Sequence, residues 1–100
     1  MINASRQEVI LLNNEGVRKA QEGQLEEAIE LLCQAANRLP NNMQIVSNAA
    51  LMIALDLQRN GNHPAKLSKC NKYRTALIIK APEHPKLRQI DGLLKQLNKL

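Results

Sequence analysis

The chain has 100 residues, of which 44% are hydrophobic, a formal charge of +5 and a single aromatic, Tyr73. Sixteen leucines, 11 alanines and 11 asparagines stand against four glycines and four prolines; alanine and leucine favour helices and strands favour aromatic and β-branched residues, which excludes a sandwich or barrel. The longest apolar run, Ala49 to Leu55, is seven residues, far short of the roughly 20 a membrane-spanning helix needs.

Four polar breaks divide the chain into five predicted helices: Glu22-Gly23-Gln24, Pro40-Asn41-Asn42, Asn60 to Pro64, and Ala81 to Pro85. The first helix is expected to start near Ser5, with Ser5 and Glu8 as a capping box, and to run to Gly23. The second carries the clearest periodicity. Leu25, Ala28, Ile29, Leu32, Ala35, Ala36 and Leu39 recur at helical spacing while Glu26, Glu27 and Glu30 occupy other faces.

The third helix, about Met43 to Arg59, is apolar on three sides and is predicted to be central. The fourth, about Ala65 to Lys80, places Leu67, Cys70, Leu77 and Ile78 on one side and lysines on another, with Arg74 expected to pair with an acid of a neighbouring helix. The fifth starts at Pro85, a good first-turn residue. Leu87, Ile90, Leu94 and Leu97 form its stripe, and Lys86, Arg88, Lys95 and Lys99 its outer face, as suits a terminal cap.

From Val9 to Asn42 the pattern has a period. Leu12 and Gly16, then Gly23 in the turn, then Ala28, Leu32 and Ala35, then Pro40 resemble a tetratricopeptide repeat, a helix-turn-helix unit of 34 residues. Glu15 and Lys19 depart from it, and Leu12 and Lys19 stand where that family usually places large rings. Shifted by one period, Leu12 reaches Val46 and Gly16 reaches Ala50. Gly61 and Pro82 then fall progressively late, as if both helices of a second repeat were lengthened by about a turn.

The resemblance implies one all-α domain over 1–100: antiparallel hairpins at about 9–42 and 43–82, and a capping helix at 85–100. As a whole it is similar to the helical extension of some bacterial response regulators, which implies a fragment of a larger protein with an adjacent receiver domain.

Enzymatic signatures are missing. His63 and His84 each precede a proline in a turn and have no ligand spacing around them; the isolated glycines form no phosphate loop; the Glu26, Glu27, Glu30 cluster reads as a solvated face. Cys33 and Cys70 read as core thiols in a reduced, cytoplasmic chain. No cofactor, metal or membrane partner is expected.

Binding is the remaining function. Asn13, Asn14, Val17 and Gln21 share a face of the first helix with Ile10, and Gln44, Ser47, Asn48, Leu51 and Leu55 share a face of the third with Gln58. The resemblance implies that such faces line a concave groove for a peptide or helix. The family's carboxylate grip does not carry over, because Asn13 and Val17 stand where a lysine and an asparagine are expected and only Asn48 fits.

Charge suggests an alternative. Residues 1–50 hold four Lys/Arg against six Asp/Glu, and residues 51–100 ten against three. Lys66, Lys69, Lys72 and Lys80 fall on one side of the fourth helix, joined by Tyr73. This stripe could serve an acidic protein or nucleic acid, although a lone aromatic argues against base stacking. A homodimerisation spacer is the third possibility.

Overall fold

The structure, a computed structural model, describes residues 2–97, with side chains for 6–97. Five helices follow in order: α1 (Ile2–Gln21), α2 (Leu25–Arg38), α3 (Met43–Asn60), α4 (Pro64–Lys80) and α5 (Pro85–Leu97). Among the described residues there is no strand, so the protein is all-α. Lys99, expected on the outer face of the last helix, lies outside the described residues.

The helix boundaries follow local chemistry. Gly23 (φ +82°) and Gly61 (φ +97°) take up left-handed backbone that side-chain-bearing residues avoid. Asn42 starts α3 by accepting a hydrogen bond from the Ile45 amide at 3.2 Å, and His63 starts α4 by accepting from the Lys66 amide at 3.4 Å, with Pro64 in the first turn.

The expected start at Ser5 is corrected. An N-cap residue has non-helical backbone, whereas α1 is helical from Ile2 and Ser5 lies within it. Consequently α3, at 18 residues, is no longer than α1, at 20. The 17-residue α4 does exceed the 14-residue α2 by about a turn.

Helices α1 and α2 form an antiparallel hairpin closed on Gly16. A Cβ there would lie 2.7 Å from Leu32 Cγ and 3.3 Å from the Ala28 carbonyl oxygen, so the two backbones meet where the sequence places its smallest residue. Lys19 pairs with Glu27 at 3.2 Å near the turn, and Arg38 with Glu8 at 3.9 Å near the other end. At Lys19 an ion pair thus occupies the place the sequence resemblance assigns to an aromatic ring.

Helix α3 packs against α2, α4 and α5 and lightly against α1. Ala49, Ala50 and Ala54 are fully buried on it beside Ile53 and Leu57; small residues let three neighbours close around one helix. Burying each of the large side chains Leu32, Ile53, Leu57, Leu77 and Ile90 contributes about 1.5–3 kcal/mol.

The outcome is two layers, α1, α3 and α5 in one and α2 and α4 in the other. Helix α5 lies mainly on α3 and touches α4 less. It therefore borders the same face of α3 as α1 does.

Candidate binding groove

On the layer of α1, α3 and α5 runs an open groove of about 720 Å³. From α1 it takes Asn13, Asn14, Val17 and Gln21, and from α3 Gln44, Asn48, Leu51 and Leu55. These are eight of the eleven residues that the sequence assigned to the two faces. Of the three that do not line it, Ser47 is fully buried, and its hydroxyl donates to the Gln44 carbonyl at 2.8 Å. One residue separates it from the groove floor because a step of one on a helix turns the side chain by about 100°.

The groove also has lining that the sequence did not assign to either face: Arg18, Ala20, Leu32, Met52 and Lys86. Met52 follows Leu51 on α3 and is half-buried. Lys86 comes from α5, whose placement on α3 is a tertiary fact. Across the whole lining there are five side-chain amides and no carboxylate.

Two of those amides are fixed to each other. Asn48 donates through Nδ2 to Asn13 Oδ1 at 3.0 Å, across 35 residues of sequence, and Asn13 Nδ2 makes a long contact of 3.5 Å to Asn14 Oδ1. Both side chains are only 9% exposed. Each amide has one carbonyl and two N–H groups, so the pair, once joined, leaves the Asn48 carbonyl as an acceptor and N–H groups as donors beside the half-buried Val17, Leu51, Met52 and Leu55. Ile10 and Gln58 are exposed and do not line the groove.

Two of the four lysines of the α4 stripe are bonded within the chain. Lys66 donates to Asp56 of α3 at 2.8 Å, and Lys80 to the side chain of Asn41. Lys69 and Lys72 are exposed. Tyr73, expected beside them, is instead 5% exposed, and its hydroxyl donates to Asn37 of α2 at 2.8 Å. The aromatic ring is worth more in the core than beside lysines in water. Arg74 pairs with Asp91 of α5, as its position predicted.

Burial opposes the charge of Asp56, but the Lys66 ammonium and the Asn60 amide outweigh it and hold the carboxyl below its ordinary range. Lys66 is raised correspondingly by Asp56. Both thiols are buried and free; burial pushes Cys33 up and Cys70 to about 11. His63 and His84 serve the backbone, the latter accepting from the Lys86 amide at 3.2 Å.

Among the described residues no group of three His, Cys, Asp or Glu side chains is placed to hold a metal, and no helix is long and apolar enough to cross a membrane. No protein-family model matches this chain, and comparison with curated proteins and with solved structures finds no match.

Proposed function

We propose that the protein is a non-enzymatic interaction module, built as tetratricopeptide-like hairpins with a capping helix, that holds a peptide in the groove of α1 and α3. The observation that carries this reading is the Asn13–Asn48 pair, tied at 3.0 Å on the groove floor. A carbonyl acceptor and N–H donors side by side match the N–H and C=O of an extended backbone. Exchanging the orientations of the two amides leaves the same complement. Val17, Leu51, Met52 and Leu55 around them offer shallow apolar seats for alternate side chains.

The reading includes a cytoplasmic setting and, following the likeness to response-regulator extensions, a place beside a receiver domain whose state would govern access to the groove. The basic stripe offers less to a nucleic acid, since Lys66 and Lys80 are already engaged within the chain and Tyr73 is withdrawn from the surface.

The test is selection from a displayed library of random peptides on the immobilised protein, followed by titration of the selected peptides in solution. Asn48→Ala is expected to weaken binding by about tenfold, the equivalent of one lost hydrogen bond to a buried polar group. Leu51→Asp should abolish it. Selected peptides that bind both variants as well as the parent would refute the groove.

A further inference from the structure

Beside the groove, and sharing Leu51, Met52 and Leu55 with it, a second crease of about 430 Å³ runs between α3 and α5, bounded there by Arg88, Gln89, Gly92, Leu93 and Gln96. We propose that this crease receives an acidic amphipathic helix of a partner protein, with apolar residues over Leu51, Leu55 and Leu93 and carboxylates against Lys86, Arg88 and Lys95. The proposal rests on the reading of the α1, α3 and α5 layer as an interaction surface, and it names the partner's chemistry.

Three observations converge on it. The first is Gly92. It stands in the interior of α5, where glycine weakens a helix relative to every residue but proline. A Cβ there would meet nothing within 4 Å, so no packing inside the chain calls for its small size. It lies on the crease wall, where a missing side chain lets a second helix approach closely.

The second is the apolar floor. Leu51, Met52, Leu55 and Leu93 are all only half-buried and lie along one crease, whereas the other large apolar side chains in the middle of α3, Ile53 and Leu57, are fully buried. A helix laid along the crease covers them in the manner of the chain's own packed pairs.

The third is charge. At 100° per residue, Gly92 and Gln96 lie near the centre of the crease-facing side of α5, Arg88 and Lys95 on one shoulder and Lys86 on the other. Among the described residues none of these three cations forms an ion pair, and no carboxylate lines the crease. The acid of α5, Asp91, pairs with Arg74 on the side toward α4. A second copy presenting the same face would set these cations against their equivalents, which opposes a symmetric self-pairing.

Two synthetic helices of about 14 residues, roughly 21 Å long and comparable to α5, test this. Both carry leucine at i, i+3, i+4 and i+7; one has glutamate on its flanks and the other lysine. Anisotropy titration should show binding of the glutamate peptide only, weakening with salt, with amide shifts in the NMR spectrum at Gly92, Leu93 and Leu55.

Gly92→Gln should lower that affinity by about tenfold or more while the melting temperature stays level or rises, so loss of binding is not loss of fold. Arg88→Glu with Lys95→Glu should transfer preference to the lysine peptide. Equal binding of the two peptides, or unchanged affinity in Gly92→Gln, overturns the proposal. So does a concentration-dependent dimer abolished by Leu51→Asp, which would make a second copy the occupant. If library peptides shift Asn13 and Asn48 while neither helix binds, this inference fails and the α1–α3 groove stands.

Discussion

Adding one methyl group at each of two helical glycines separates the hairpin contact from helix propensity. Gly16→Ala and Gly92→Ala gain the same propensity, about 1 kcal/mol, because both glycines are in helix interiors. Their surroundings differ. At Gly16 the new carbon would sit 2.7 Å from Leu32 Cγ, 2.9 Å from Leu32 Cδ2 and 3.3 Å from the Ala28 carbonyl oxygen, whereas at Gly92 nothing lies within 4 Å.

Leu32 is fully buried and its nearest atom to the new carbon is the branching Cγ rather than a side-chain tip, so relieving the clash shifts the α1–α2 seam at a cost of about 1–3 kcal/mol. The difference between the two variants is that steric cost alone. Gly92→Ala should raise stability by about 1 kcal/mol, which is about 4–8 °C for a domain of this size. Gly16→Ala should lower it by up to about 2 kcal/mol. Thermal and urea unfolding followed by circular dichroism measure both. If Gly16→Ala stabilises as much as Gly92→Ala, α1 and α2 do not meet at Gly16. Leu32→Ala alone should cost about 2–5 kcal/mol, and combined with Gly16→Ala the losses should fall short of additive because the methyl occupies part of the vacated space.

Asp56 should make the fold acid-sensitive. Its folded pKa lies below the ordinary 3.8, so the stability it contributes is present above that ordinary value and is lost as pH falls through the depressed one. In Asp56→Asn, stability at neutral pH should drop by about 1–2 kcal/mol and its decline below about pH 4 should flatten; an unchanged acid slope in urea titrations would contradict the Asp56–Lys66 pairing. The thiols supply another check. With Cys70 at about 11 and both cysteines buried, an aromatic disulfide reagent at pH 8 should label neither within the time it labels the urea-unfolded chain. Rapid native labelling of both would show that α2 and α4 are not closed against α3.

The exposed surfaces divide by partner. Glu27 is paired with Lys19, and Lys66 and Lys80 are bonded within the chain, so much of the charge pattern in the sequence is internal structure. Along α5, Lys86, Arg88 and Lys95 form no ion pair among the described residues and stand near the half-buried Leu51, Leu55 and Leu93.

Much of this was present in the order of residues. The stripe of α2, the breaks at Gly23, Pro40, Gly61 and Pro82, and the small Gly16 opposite Ala28 and Leu32 are local or single-period signals, and periodicity reads them because a helix repeats every 3.6 residues. The same signal picked out eight of the thirteen residues that line the groove. It could not place Ser47, one step of about 100° away from the groove, nor fix the start of α1, where Ser5 carries a capping pattern inside a helix that had already begun.

The rest depended on which helix lies against which. That Lys66 finds Asp56, that Tyr73 turns inward to Asn37, and that Lys86 and Met52 join the groove all follow from packing between elements distant in sequence. Periodicity describes one helix in isolation; a partner's carboxylate, a buried hydroxyl's acceptor or a shared crease exists only after two helices have met. The position of α5 on α3 rather than on α4 is the clearest case, because its amphipathic stripe states that it must be covered and leaves open by what.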